Sequence, residues 1–97
     1  MMTHYVILAN FTAKGFRAVK DTGNRAQVFR SMAQKMGVTV KNIFWTLGRY
    51  DVVLILEAPS DEKVAGLMMK LGTLGNLTTQ TLRAFTEEQI ESLISKL

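Results

Sequence analysis

Residues 51–58 (DVVLILEA) constrain the fold of this 97-residue chain more than any other segment. Successive side chains of a β-strand point to opposite faces of a sheet, so a strand here places Val52 and Leu54 on one face and Val53 and Ile55 on the other. A sheet with one solvated face normally alternates apolar and polar residues. This segment is apolar in both directions, and we therefore expect both faces of its sheet to be covered.

The rest of the chain supplies further strands and amphipathic helices. Apolar residues recur at helical spacing in residues 25–36, after a break at residues 21–24, and Gly37 follows as a stop because glycine adopts the left-handed conformation cheaply. Thr86 and Gln89 match a capping box at the start of a last helix. We expect strands at 4–11, 38–47, 51–58 and 77–85, a helical turn near 16–19, and helices at 25–36, from Ser60 to Gly72, and after Thr86 with the apolar stripe Ile90, Leu93, Ile94 and Leu97.

The predicted order is β-α-β-β-α-β with an additional C-terminal helix, which is the α+β, ferredoxin-like arrangement of an antiparallel sheet. A chain of this length forms a single domain, here residues 1–97. In that arrangement the first and third strands are central and both helices cover one face. The other face needs a different cover, and the simplest is the same sheet of a second copy. We therefore expect a homodimer or higher homo-oligomer with these interface residues: Val6, Leu8, Val53 and Ile55.

Gly48-Arg49-Tyr50-Asp51, in the connection between the second and third strands, resembles the signature of the GYD domain family of small prokaryotic proteins. The similarity extends over nearly the whole chain, through residues 45–51, 57–59, 74–77 and 81–86. The resemblance implies a dimeric α+β barrel, in which two ferredoxin-like sheets pack face to face, and it implies no established activity. A more distant similarity, to the effector-binding domain of the leucine-responsive regulators, implies a metabolite bound between subunits.

Polar residues that share a sheet face with Val53 and Ile55 could form a rim around the expected interface. By the period of two, Asp51 and Glu57 share that face on the third strand. The candidate ligand-binding residues are these two, the other motif residues and polar residues of the first and fourth strands: Gly48, Tyr50, Asp51, His4, Asn10, Glu57 and Arg83. The sequence does not fix the face of Arg83. A structural explanation competes, because Asp at a hairpin commonly accepts backbone N–H groups and Gly48 can supply a positive φ.

The leading functional hypothesis is binding of a small molecule, either at a subunit interface or in a cavity between the helices and the sheet. An alternative is a cofactor-independent enzyme of the oxygenase or isomerase type, for which His4, Asp51 and Glu57 are the obvious candidate bases. The chain has no cysteine and one histidine. We therefore expect no metal site. No phosphate loop and no dinucleotide-binding fingerprint is present, and we expect no cofactor.

A second alternative is weak binding of nucleic acid or of an acidic partner. The net charge is +4, and residues 1–49 hold eight basic residues against one acidic residue. The basic residues are not interleaved with aromatic ones, which disfavours single-stranded nucleic acid. Because no signal peptide and no apolar stretch of membrane-spanning length is present, we expect a cytoplasmic protein without membrane association.

Overall fold

Four antiparallel strands form one sheet, in the order β2-β3-β1-β4, in the computed structural model, which describes residues 2–97. The strands are β1 (Thr3–Phe11), β2 (Thr39–Trp45), β3 (Val52–Ala58) and β4 (Leu77–Ala84). The helices are α1 (Ala13–Arg17), α2 (Thr22–Lys35), α3 (Asp61–Thr73) and α4 (Glu87–Ile94), and a 3-10 turn spans Val19–Asp21. The predicted α+β fold is confirmed. Within residues 2–97, no helix has both the length and the apolar character needed to cross a membrane.

Most helix ends lie where the sequence indicates. The Ser60 hydroxyl accepts the Lys63 N–H at 3.4 Å ahead of α3. Thr86 and Gln89 form both hydrogen bonds of the predicted capping box. Gly37, after α2, adopts a φ of 78°, a left-handed conformation that suits glycine. These local signals define the helix ends because each satisfies backbone groups that the helix itself leaves unpaired.

The predicted break at residues 21–24 is wrong, because α2 already begins at Thr22. The interruption lies earlier, at Ala18 and the 3-10 turn that follows it. Turn-forming residues are also the residues favoured at helix starts, where the first N–H groups have no intrahelical partner. Asp21 stands at the N-cap, although its side chain makes no capping hydrogen bond, and Gly23 and Asn24 occupy the first turn.

Helices α2 and α3 cover one face of the sheet, which we call the helix-covered face. The β1–β3 register pairs Tyr5 with Leu56 and Ile7 with Leu54, and all four side chains are buried. The helices contribute the buried residues Phe29, Ala33, Val64, Leu67 and Leu71. The hydrophobic core of the chain therefore lies between α2, α3 and this face.

The opposite face, which we call the open face, carries the other side chains of the same strands. Val6 lies opposite Ile55 and Leu8 lies opposite Val53. These four side chains are partly exposed, and they belong neither to the buried core nor to the hydrophobic residues packed against it. Register adds neighbours from the edge strands: Asn42 and Phe44 from β2, and Thr78, Gln80, Leu82 and Ala84 from β4.

Helix α4 shares this lack of cover. None of its residues, Glu87–Ile94, is buried. Ile90, Leu93 and Ile94 are between 41% and 59% exposed, and Phe85 just before the helix is 50% exposed. The chain therefore presents two uncovered apolar surfaces, the centre of the open face and the stripe of α4.

Candidate functional site

The loop between β2 and β3 positions the predicted motif residues through short-range hydrogen bonds. Gly48 has a φ of 106°, so its backbone conformation favours glycine. The Thr46 hydroxyl donates to the Tyr50 carbonyl oxygen at 2.6 Å. The Thr46 N–H donates to the Asp51 carbonyl oxygen at 2.9 Å. The motif is thus a defined turn, and it presents Tyr50 and Asp51 at one end of the sheet.

Asp51 connects this turn to the end of β1. Its carboxylate Oδ2 accepts the Phe11 N–H at 3.0 Å, and its own N–H donates to the Ala9 carbonyl at 2.9 Å. The side chain therefore extends the β1–β3 pairing by one further bond. This geometry supplies a structural role for the carboxylate.

Tyr50 reaches from the turn towards the far edge of the sheet. Its hydroxyl donates to Gln80 Oε1 at 3.3 Å. Gln80 lies opposite Leu8 in the β1–β4 register, so the Tyr50 side chain crosses the end of β1 to reach β4. The Arg49 guanidinium carbon lies 5.7 Å from the centre of the Tyr50 ring. Tyr50 therefore lies at this end of the open face.

His4 and Glu57 occupy the other end of the open face. They are register partners, with 3.5 Å between His4 Nδ1 and Glu57 Oε1. Lys41, at a bulge in β2, places its Nζ 3.9 Å from Glu57 Oε2. Asn10 lies instead at the Asp51 end, opposite Thr78. The candidate residues thus form two separate polar groups with the apolar centre between them.

Arg83 does not join either group. It lies opposite Tyr5 in the register and therefore belongs to the helix-covered face. Its Nε is 3.7 Å from Asp61 Oδ1, and its guanidinium carbon is 4.7 Å from the centre of the Phe85 ring. The Tyr5 hydroxyl donates to the same Asp61 carboxylate. Burial raises the pKa of Tyr5 above its usual value, and the hydrogen bond to Asp61 adds to this effect.

A cavity of about 220 Å³ lies between α2 and the helix-covered face. Its lining is mainly apolar, and the polar residues of the lining include Asn24, Arg25 and Asn76. Asn76 Oδ1 is buried and accepts no hydrogen bond from the described residues 2–97. The sequence suggested a cavity between helices and sheet but not its residues. One sequence signal could have identified two of them. Trp45 and Asn76 line the cavity, and both lie in segments that carry the family resemblance, 45–51 and 74–77.

Comparisons with known proteins agree on a family and a fold. A protein from Thermus thermophilus named "Glutamine synthetase and cystathionine beta-lyase binding protein" is 30% identical over 97 residues, covering 99% of each chain. The solution structure of the C-terminal domain of the MgtC protein from Mycobacterium tuberculosis superposes with a TM-score of 0.55 over 87% of this chain and 88% of that chain. At 13% identity, this second likeness concerns the fold alone. Residues 5–94 match the model of the GYD domain, and the chain therefore belongs to the GYD domain family.

Proposed function

We propose that the protein is a homodimeric interaction domain, in which two copies pack their open faces together and the dimer binds another protein. The observation that carries this proposal is the apolar centre of the open face, formed by Val6, Leu8, Val53 and Ile55, which the chain itself leaves partly exposed. Contiguous exposed apolar patches mark interaction sites in soluble proteins.

A second copy suits this face because a two-fold interface joins the same patch on both subunits. The apolar centre of one copy would meet the apolar centre of the other, as in stacked sheets. The polar group around His4 and Glu57 and the polar group around Tyr50 and Asp51 would then lie towards the two ends. An apolar core with a polar rim is the usual composition of a protein interface.

The stripe of α4 is the second uncovered apolar surface of the chain, and none of the residues of α4 is buried. The apolar stripe of α4 offers additional area on the same chain. We propose that α4 of each copy packs on its partner.

The proposed protein partner follows from the Thermus thermophilus relative, whose name states that it binds glutamine synthetase and cystathionine β-lyase. We extend this to the present chain as a proposal: it binds one of these two enzymes from its own organism. The test measures binding of each purified enzyme to the wild-type protein by biolayer interferometry. Saturable binding to at least one enzyme is expected, and the absence of binding to both contradicts this part of the proposal.

The dimer has a separate test, in which Val53→Glu is compared with Val19→Glu. Val19 is exposed and lies outside the sheet, so the same substitution there provides a matched control. Burying an unpaired carboxylate is strongly unfavourable, so Val53→Glu should be monomeric. Sedimentation velocity at micromolar concentration is expected to show dimers for the wild type and Val19→Glu. A monomeric wild type contradicts the dimer.

A second candidate function is binding of a small molecule, and the observation that favours it is the cavity lined by Asn76. Of the two locations expected from the sequence, this geometry favours the one between helices and sheet. The candidate bases His4, Asp51 and Glu57 do not line the cavity. The cavity therefore supports binding better than it supports the enzyme alternative.

A further inference from the structure

We infer that α4 of a second copy docks on α2, where its apolar stripe covers Val28, Trp45 and the cavity between α2 and the sheet. The inference deepens the proposed function, because it rests on α4 packing on a partner copy and names the surface that receives the helix. It assigns the cavity to a protein helix, in place of the small molecule of the second candidate function.

The receiving surface is an apolar area around α2 that the chain leaves uncovered. Val28 of α2 and Trp45 of β2 are about half exposed, and both line the cavity of about 220 Å³. Val28 and Met32 also line a more open depression between α2 and α3, together with Lys35 and Lys70. An engineered apolar cavity of roughly 150 Å³ takes up benzene, so the larger cavity here has room for a leucine or isoleucine side chain.

The charges of the two helices are complementary. Helix α2 carries three basic residues and no acidic residue, whereas α4 carries three acidic residues and no basic residue. Glu87 and Glu91 lie four residues apart, and therefore on one flank of the α4 stripe. Lys35 and Lys70 lie at the depression beside α2. Within residues 2–97 none of these four side chains forms an ion pair, so docking would pair charges that a single chain leaves unpaired.

The position of α4 in the chain favours a second copy as the source of the helix. Helix α4 follows Ala84, at the end of β4 that pairs with His4, and only residues 85–86 link the two elements. Trp45 lies on the opposite edge strand and near the other end of the sheet. When two open faces meet about a two-fold axis along the strands, β4 of one copy lies opposite β2 of its partner. Helix α4 then begins beside the edge strand that carries Trp45, next to which α2 packs.

The test reverses the charges on each side of the contact and then mixes the two variants. Lys35→Glu/Lys70→Glu and Glu87→Lys/Glu91→Lys should each dimerise about tenfold more weakly than the wild type, because like charges then face each other. In an equimolar mixture one contact joins the native charges and the other joins the reversed charges. The mixture should therefore form a heterodimer with close to wild-type affinity. Sedimentation equilibrium at low salt gives the dissociation constants, and native mass spectrometry identifies the heterodimer.

The matched control is Arg17→Glu/Lys20→Glu, which makes the same change of charge at exposed positions that line neither the cavity nor the depression. Its dissociation constant should remain close to that of the wild type. A loss of helix stability in α4 does not explain a recovery, because the mixture contains the same substitutions. Unchanged dimerisation of either charge-reversed variant, or a mixture that dimerises no better than its components, overturns the inference.

The fluorescence of Trp45, the one tryptophan of the chain, separates the inference from its alternatives. Docking of α4 removes water from the half-exposed ring, so the emission should move to shorter wavelength as the protein concentration rises, and Ile94→Glu should abolish this shift. A shift caused by added toluene but not by protein concentration overturns the inference in favour of a small-molecule site. A monomeric wild type contradicts the proposed dimer itself. A dimeric wild type whose Trp45 emission does not change with concentration contradicts only the docking of α4.

Discussion

The two faces of the sheet are equally apolar at their centres but differ in what covers them. On the helix-covered face Ile7, Leu54 and Leu56 are at most 3% exposed. On the open face Val53 and Ile55, which alternate with Leu54 and Leu56 along β3, remain partly exposed. The chain has two helices long enough to cover one face and uses both on the same side. Apolar strand content alone therefore does not show which face of a sheet is covered by its own chain.

The faces also differ in their polar residues. Among residues 2–97 the structure buries no polar or charged residue as a whole, and the buried core consists of hydrophobic residues, Tyr5 among them. The open face instead has a polar group at each end, around Glu57 and around Asp51. A core gains nothing from such groups, whereas an interface can use them to select a register between subunits.

The largest expected effect separates the two faces directly, by truncating adjacent residues of β3. Leu54→Ala should reduce the free energy of unfolding by about 2–5 kcal/mol, because it opens a cavity in the core. The measurement is urea unfolding of variants that also carry Val53→Glu. These proteins should be monomeric, so the loss in the free energy of unfolding excludes any contribution from dimerisation. In that background Ile55→Ala should cost far less than Leu54→Ala. Equal losses for the two variants would show that the open face is already covered within one chain.

A smaller effect is expected in α4, whose stripe we assign to the proposed dimer. Leu93→Ala should weaken dimerisation about tenfold to a hundredfold, equivalent to about 1.4–2.7 kcal/mol. The expected change in the stability of the monomer is small, since Leu93 is half exposed. Ser92→Ala on the same helix serves as the control. Sedimentation equilibrium over a dilution series gives the dimer dissociation constant of each variant. An unchanged dissociation constant for Leu93→Ala would exclude α4 from the interface.

The smallest effect concerns the Asp51 end of the open face. Asp51→Ala leaves the Phe11 N–H without its acceptor and should cost about 1 kcal/mol, the lower part of the usual range because the bond is only partly buried. Asp51→Asn retains an acceptor and should cost less. Thermal melts of the two variants test the structural role. If Asp51→Asn melts as the wild type but loses binding of the enzyme partner, the carboxylate contributes to function as well.

Much of the fold could be predicted because its signals are local. The capping box at Thr86, the cap at Ser60 and the glycine at position 37 each act within one helical turn. The apolar residues on both faces of β3 likewise predict, from one short segment, that both faces of the sheet are covered. The sequence predicts a start for α2 at residue 25, three residues later than the observed start at Thr22, because the residues that favour turns also favour helix starts.

The site was harder to predict because it depends on contacts between distant segments. Both faces of β4 (LTTQTLRA) carry polar residues, so its sequence does not show which side chains face the helices. Only the pairing of β4 with β1 determines the face on which Arg83 lies. The cavity forms where α2, β2 and the loop before β4 converge. Asn76 lines the cavity only because these distant segments meet, and no spacing in the sequence predicts that contact.

The exposed position of α4 has a consequence for local opening of the protein. A helix of eight residues is shorter than the roughly 12–15 residues that an isolated helix needs to persist in water. Its capping box stabilises only the first helical turn. In a dilute sample the amide protons of α4 should therefore exchange with solvent much faster than those of β1 and β3, which reflect global unfolding. Amide exchange in this one helix would then slow as the protein concentration rises and would report assembly residue by residue.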